Sequence, residues 1–389
     1  MDNRSKYRRG EIINDKFLIH DVKMGGMGEV YLCLDIEQNF PCALKTFQKR
    51  FVTNTRLRAA FEREVMTWIS LDAHPNIVTC YWMQVINGQP FMCLDWVPGA
   101  EGIGTDLRCW LKWGHLDTRT SIEYTADICR GLVHAQQKSP GIVHCDLKPE
   151  NILIMNGRLA QITDFGLAQL AKEAELKLSL RNDWQKSAIR NPTLSIERGI
   201  VGTPLYMSPE QWLGEELDPR SDIYAIGCIL YEQLTGTPPF VAGSIEEIRK
   251  IHLEAVAPQI SANQPFITQL NEIILCCLEK DRGNRFFSHN ELLSELIDLY
   301  KKIFDTALEK EYPQTEELPA SYYASRGNTY GELEPFEESI ECYEKAMQID
   351  PVNVNILSNR ALTFMRMRDY QQALADVNKA LEIDPEYLL

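Results

Sequence analysis

His144-Cys145-Asp146-Leu147-Lys148-Pro149-Glu150-Asn151, followed 13 residues after Asn151 by Asp164-Phe165-Gly166, is the strongest signal in the chain. These residue types in this order read as phosphoryl-transfer chemistry. Asp146 would accept the proton of an attacking hydroxyl, and Lys148 would stand beside the transferred phosphate. Asn151 and Asp164 offer oxygen ligands suited to Mg2+. Such chemistry needs positioning and charge neutralisation more than covalent catalysis. A single Asp-Phe-Gly reads as a turn; both motifs in order and at this spacing do not.

Upstream of the motif the chain reads as strands with one helix. Phe17–Val22, Glu29–Leu34 and Cys42–Phe47 are short β-type runs, two of them flanking a glycine cluster. Leu57–Leu71 has helical spacing, with Phe61, Val65, Trp68 and Ile69 on one side. Ile77–Val85 and Phe91–Val97 follow as strands around Asn87-Gly88, a hairpin turn signal. After Gly99 the pattern turns helical, over Ser121–Gln137, Ser221–Leu234, Ile245–Ala255, Thr268–Leu278 and Glu291–Leu308. The expectation is an α+β fold with a small strand-rich lobe, a larger helical lobe and a cleft between them.

With this order of elements, the chain resembles the eukaryotic-like Ser/Thr protein kinases over about residues 10–300. Gly25-Gly26-Met27-Gly28-Glu29-Val30-Tyr31 is similar to the glycine-rich loop of bacterial members. In that loop, backbone N–H groups cradle ATP phosphates. The resemblance implies that Lys45, in Cys42-Ala43-Leu44-Lys45, contacts the α- and β-phosphates. Glu64, preferred over Glu62, would be its ion-pair partner. It implies further that Leu94 guards the back of the adenine pocket and that backbone groups of Asp95 and Val97 bond the adenine edge. Val22, Val30, Ala43 and Leu153 would line the ring. Gly202-Thr203-Pro204-Leu205-Tyr206-Met207-Ser208-Pro209-Glu210 is similar to the end of the activation segment. There Thr203 would bond near Asp146 and Lys148, Glu210 would pair with Arg285, and Asp222 would bond the catalytic-loop backbone. ATP and Mg2+ are the implied cofactors, with Mn2+ as the alternative metal, and protein Ser/Thr hydroxyls are the implied substrates.

Two positions depart from the family pattern. Lys23 stands where the first glycine of the loop is expected. Cys145 replaces the arginine that, in the family, pairs with a phosphorylated activation segment, so control by charge pairing loses its main anchor. Asp164 to Glu210 spans 47 residues, longer than most such segments. Lys23 and Cys145 support an alternative reading, a catalytically weak kinase-like scaffold that acts by protein binding through the C-terminal repeats.

The last 70 residues repeat with a period of 34: Tyr323 and Leu357, Gly327 and Ala361, Tyr330 and Phe364, Ala346 and Ala380, Pro351 and Pro385. This helix–turn–helix period resembles the tetratricopeptide repeat, a module that binds a peptide or protein partner in a groove. The expected boundaries are a kinase domain at 10–306, a linker at 307–319, and repeats at 320–353 and 354–387. With no polar-faced capping helix in view, the array is expected to continue. Its outer face would lie around Phe364, Ala373, Val377 and Ala380.

Composition limits the partners. The net charge is −15, and from Asp305 to Leu389 there are 17 Asp and Glu against 7 Lys and Arg. That balance argues against nucleic acid or an anionic membrane as partner. No run of about 18 apolar residues is present, so no membrane span is expected. The 11 cysteines are scattered without a C-x-x-C. They read as reduced thiols of a cytoplasmic protein, with Cys276 and Cys277 in a helix core.

Overall fold

Strict alternation in β3 (Gly28–Asp35) sends Tyr31 and Cys33 to one side of a sheet and Val30 and Leu32 to the other. The computed structural model describes residues 6–24, 28–47, 62, 65–100, 102–165, 203–260, 265–310 and 318–386. Gly25, Gly26 and Glu64 lie outside these residues, as does the side chain of Thr203. Around β3 stand β1 (Ile12–Ile13), β2 (Phe17–Met24), β4 (Phe40–Phe47), β5 (Cys80–Ile86) and β6 (Gln89–Asp95). All pairs are antiparallel, in the order β1-β2-β3-β4-β6-β5. Asn87 and Gly88, both at positive φ, turn the β5–β6 hairpin. Residues 65–70 are helical.

The helical region holds α1 (Leu107–Leu111), α2 (Thr118–Lys138), a β7 (Ile152–Met155) and β8 (Leu159–Ile162) hairpin, and α3 (Pro209–Leu213). Next come α4 (Pro219–Thr235), α5 (Ile245–Glu254), α6 (Pro265–Cys277) and α7 (His289–Phe304). Asp117 starts α2 by accepting the Thr120 N–H at 2.9 Å. Helix α7 ends four residues before the expected Leu308, because Asp305 takes a left-handed conformation and closes it. The chain beyond is pinned to α2. The Leu308 carbonyl accepts from Arg130 at 2.8 Å, and Lys310 Nζ lies 2.7 Å from the buried Asp127 carboxylate. The stretch expected as linker therefore begins with anchored residues.

The repeats form α8 (Ala320–Leu333), α9 (Phe336–Ile349), α10 (Val354–Arg366) and α11 (Tyr370–Ile383). At Gly327 a Cβ would meet the Tyr343 ring at 2.8 Å, so only glycine lets α8 and α9 approach this closely. Ala373 and Ala380, expected on the outer face, are buried. The exposed apolar residues of this pair are instead Leu362, Met365, Tyr370, Leu374, Leu381 and Ile383. The small residues face inward because close helix pairing needs them there.

The chain divides into two compact units. One contains the six-stranded sheet together with the repeats; the other contains α1–α7 and the β7–β8 hairpin.

In the helical unit His289, at the start of α7, is fully buried, and burial pushes its imidazole down to about 4. An unfolded histidine titrates near 6.5. Between those values the unfolded chain binds a proton that the folded chain refuses, so stability falls as pH falls through that window. His289→Asn should flatten the pH dependence of the unfolding free energy by about 1.4 kcal/mol per pH unit between roughly pH 4.5 and 6. Urea titrations across that range check this; an unchanged slope would show that His289 is not the group responsible.

Candidate active site

The motif residues sit between Val143 and β7. Residues 149–151 form a single 3-10 turn that leads into the strand. Asp146 Oδ2 accepts from Lys148 Nζ at 2.6 Å and from Asn151 Nδ2 at 3.1 Å. The same Asn151 nitrogen reaches the Asp146 carbonyl at 2.8 Å. Asp146 Oδ1 is buried and has no hydrogen-bond partner among the described residues. The carboxylate is thus clamped through one oxygen while the other is left as an acceptor. Because Asn151 spends its nitrogen on Asp146, its Oδ1 is the atom available to a cation.

His144 fixes the loop from beneath. It is fully buried, and burial pushes its imidazole below the ordinary range. Nε2 lies 2.9 Å from the Thr163 carbonyl, and Nδ1 is 3.3 Å from the Asp146 N–H. A carbonyl can only accept, so the proton resides on Nε2 and the ring is neutral. Phe165 packs against this ring with centroids 4.9 Å apart. Asp164 precedes it at φ 66° and accepts from Thr163 Oγ1 at 3.3 Å.

Cys145 occupies φ 65°, where a residue with a Cβ is strained by about 1–2 kcal/mol. Three bonds hold it there. Asp222 on α4 accepts the N–H groups of His144 (2.8 Å) and Cys145 (3.0 Å). Gln211 on α3 donates to the Cys145 carbonyl at 2.8 Å. Burial pushes the Asp222 carboxyl up to about 7, against the pull of those two N–H donors. Cys145 itself is 8% exposed, so its side chain is packed.

Glu210 and Arg285 form a buried bidentate pair at 2.8 and 2.9 Å. A second network was not read from the sequence. Arg108 on α1 donates to Glu150 at 2.9 Å, to Glu232 at 2.5 Å and to the Tyr206 hydroxyl. It joins the motif's Glu150, the Tyr206 turn and α4. Arg108 and Gln211 are ordinary polar residues in short helices, so no local pattern marks them.

In the sheet unit, register sorts the candidate nucleotide contacts. Val30 pairs with Lys45, and Ala43 with Leu94, so all four share one face. Val22 differs from the expectation. A bulge between Ile19 and Asp21 shifts β2 by one residue and sets Val22 opposite Tyr31. Val22 therefore packs with the Tyr31 and Phe91 cluster on the other face, while Lys23 stands opposite Val30. Asp95 also points to the Tyr31 side and bonds Thr79 N at 3.1 Å and the Tyr81 hydroxyl. At Gly28 a Cβ would meet the Thr46 carbonyl at 2.6 Å, so this glycine is required by close strand approach. Val97 is buried just after β6, and Leu153 is half-buried on β7.

The fold and the motif geometry together define a protein kinase catalytic domain followed by helical repeats. Residues 19–296 match the protein kinase domain model, and the chain belongs to that family. Residues 321–367 and 354–387 match tetratricopeptide repeat models. The serine/threonine-protein kinase PknD of Mycobacterium tuberculosis is 34% identical over 271 residues, covering 69% of this chain and 37% of its own length. PknB of Mycolicibacterium smegmatis is 29% identical over 304 residues, covering 76% of this chain and 43% of its own. The chain therefore spans less than half the length of these relatives. The PknI kinase domain of Mycobacterium tuberculosis shares the fold, with a TM-score of 0.54 at 20% identity over 76% of this chain and 99% of that one.

Proposed function

We propose that the chain is an ATP-dependent protein kinase that phosphorylates Ser and Thr hydroxyls of other proteins, with the repeats as its partner-binding module. The observation that carries this is the Asp146 carboxylate, held by Lys148 and Asn151 through one oxygen with the other buried and unbonded. A substrate hydroxyl placed at Oδ1 would pass its proton to Asp146 as the oxygen attacks the γ-phosphorus and the bond from that phosphorus to the β-phosphate oxygen breaks, releasing ADP. Lys148, already within hydrogen-bond reach of Asp146, would offset negative charge on the phosphoryl group. On the sheet, Lys45 would hold the α- and β-phosphates, with Glu64 as its partner. Val30, Ala43 and Leu94 would bound the adenine. Leu153 and the backbones of Asp95 and Val97 complete that assignment. Gly25, Gly26 and Gly28 would line the phosphates. In the helical unit Glu210, Asp222 and Arg285 would brace the platform to which Thr203 belongs.

Asn151 and Asp164 would hold Mg2+, which supplies charge neutralisation between the β- and γ-phosphates. Among the described residues no group of three or more His, Cys, Asp or Glu side chains is assembled for a metal. A Mg2+ held by two protein oxygens and the nucleotide's own phosphates is consistent with that. The kinase domain is assigned to 10–306, and the repeats to 320–353 and 354–387. None of the eleven cysteines is joined in a disulfide, which supports a reducing, cytoplasmic setting. Among the described residues no helix is long and apolar enough to cross a membrane.

A cavity of about 220 Å³ between β5 and the repeats, lined by Gln84, Asn328, Glu332, Asn359 and Arg366, is the candidate partner site. Its polar lining suits the backbone of a peptide. Lys23 on the Val30 face is the observation favouring the scaffold reading, since an extra side chain stands where adenine would approach. Transfer of labelled γ-phosphate to a protein substrate with Mg2+, followed by phospho-amino-acid analysis, separates the two. Phosphoserine and phosphothreonine are expected. No transfer would favour the scaffold, and mainly phosphotyrosine would overturn the Ser/Thr assignment.

A further inference from the structure

Helix α8 and the sheet belong to one compact unit, and α8 brings an aromatic ring to it. Tyr322 is buried and closes the apolar cluster of Phe17, Tyr31 and Phe91. Its ring packs edge-on against Tyr81, with centroids 3.6 Å apart, and against Phe40 at 5.6 Å. Phe40 and Tyr81 also meet, at 5.8 Å, so each ring of the three is held by the other two. The Tyr322 hydroxyl is buried and has no hydrogen-bond partner among the described residues. The side chain therefore acts through its ring. The rest of α8 is fastened to the same unit. Ser321 Oγ donates to Gln38 Oε1 at 3.0 Å, and Arg326 Nη2 donates to the Ile69 carbonyl at 2.7 Å. Thr329 Oγ1 lies 3.0 Å from both the N–H and the carbonyl of Met83.

Tyr81 carries the contact on to β6. Its hydroxyl donates to Asp95 Oδ1, and the Thr79 N–H donates to Asp95 Oδ2 at 3.1 Å. The Asp95 N–H in turn donates to the Thr79 carbonyl at 3.0 Å. Asp95 ends β6 and is thus tied to the start of β5 by backbone and side chain together. Burial pushes its carboxyl up, and the bonds from Tyr81 and Thr79 pull it down. Leu94, one residue earlier, pairs with Ala43 on the face assigned to adenine. Side chains alternate along a strand, so Asp95 reaches the Tyr322 side while Leu94 faces the other. A ring on the repeat helix therefore stands two contacts away from a backbone group assigned to the base.

We propose that Tyr322 is a positioning residue for the nucleotide base: the first repeat supplies the ring that holds Tyr81 on Asp95 and so fixes the backbone that receives the adenine edge. The proposal rests on the kinase reading above, and it concerns the base and not the phosphates. Truncating Tyr322 would leave a cavity beside Tyr81 and free that ring to leave Asp95. Hydrogen bonds weaken steeply with misalignment, so a small shift of Asp95 costs affinity for the base. Trp82 and Met83, beside Tyr81, and Ser325, one turn beyond Tyr322, line the cavity proposed for the partner. A partner that moves α8 on seating there would change ATP affinity, and ATP would change the partner's affinity by the same factor.

The test titrates non-hydrolysable ATP and GTP analogues, to millimolar concentration, into the full chain and its variants Tyr322→Ala, Tyr322→Phe, Tyr81→Phe and, as control, Arg360→Ala. The two analogues carry the same phosphates and differ in the edge that the base presents. Arg360 pairs with Asp376 within the second repeat at 2.6 and 2.7 Å. Tyr322→Ala is expected to weaken the ATP analogue about tenfold, the worth of one to two hydrogen bonds, and the GTP analogue less than about twofold. Tyr322→Leu, which keeps apolar volume without the ring, takes its place if Tyr322→Ala does not fold. Tyr81→Phe, which keeps the ring and removes only its bond to Asp95, should weaken the ATP analogue in the same selective way. Tyr322→Phe and Arg360→Ala should bind both analogues as wild type does. Hydrogen exchange of the peptide covering residues 91–96 should accelerate in Tyr322→Ala and Tyr81→Phe. Equal losses for both analogues would make Tyr322 a folding residue only and overturn the proposal. So would unchanged ATP-analogue affinity in Tyr322→Ala or Tyr81→Phe, an equal loss in Arg360→Ala, or unchanged exchange. A wild-type chain that binds neither analogue would instead overturn the kinase reading, and the exchange result would still report whether Tyr322 holds Asp95.

Discussion

Asp146→Asn is expected to lower phosphoryl transfer by about 10³-fold, roughly 4 kcal/mol in the barrier, while ATP still binds. The carboxamide has the shape of the carboxylate, so the loop geometry survives. Its oxygen would turn toward Lys148 and Asn151, which are both donors to Oδ2 now. That orientation puts the –NH2 group where Oδ1 stands, a donor at the position where an acceptor is needed. The substrate hydroxyl then loses its proton acceptor. The adenine contacts are assigned to other residues, so affinity for a non-hydrolysable ATP analogue should change little. Single-turnover transfer and analogue titration on the same preparation check both halves. An unchanged transfer rate would remove Asp146 from the reaction, and lost analogue binding would point to a collapsed site.

The catalytic loop was legible in sequence because its chemistry compresses four chemically distinct residues into a short run. His144, Asp146, Lys148 and Asn151 could hardly occur so by packing alone. The sheet was legible from alternation, but not its register. Val22 was expected beside the adenine, and a bulge near His20 turned it to the other face. Period-2 patterns assign faces only within an uninterrupted strand. The repeats were legible from their 34-residue period. Their place in the sheet unit was not, because Arg326 and Ile69 are 257 residues apart, and Thr329 and Met83 are 246 apart. Nothing in the local pattern of a surface arginine or threonine names so distant a carbonyl. Arg108 escaped notice for the same reason: it draws Glu150, Tyr206 and Glu232 together from separate parts of the helical unit.

Arg285→Ala should cost about 3–5 kcal/mol of stability, the largest effect of any single change outside the reacting groups. All five guanidinium N–H groups of Arg285 are spoken for. Nε donates to the Glu279 carbonyl at 2.7 Å. Nη1 serves Glu210 at 2.8 Å and the Arg220 carbonyl at 2.9 Å. Nη2 serves Glu210 at 2.9 Å and the Lys280 carbonyl at 3.1 Å. The Tyr224 ring lies 4.9 Å from its carbon. Burial alone would raise the Glu210 carboxyl, yet the Arg285 hydrogen bonds and charge hold it below its usual range. Truncation leaves a buried carboxylate without its cation and three carbonyls without donors. Arg285→Lys cannot replace the fork, since three donors cannot meet five acceptors. It should therefore lose more than half of what alanine loses. Because the pair is bidentate and shared, Glu210→Gln with Arg285→Met should be less destabilised than the sum of the single changes. Thermal and urea unfolding of the five variants, Arg285→Ala, Arg285→Lys, Glu210→Gln, Arg285→Met and the double change, measure this. Additive losses would mean that the two side chains act separately, and a loss below about 1 kcal/mol for Arg285→Ala would mean that water enters and replaces the arginine.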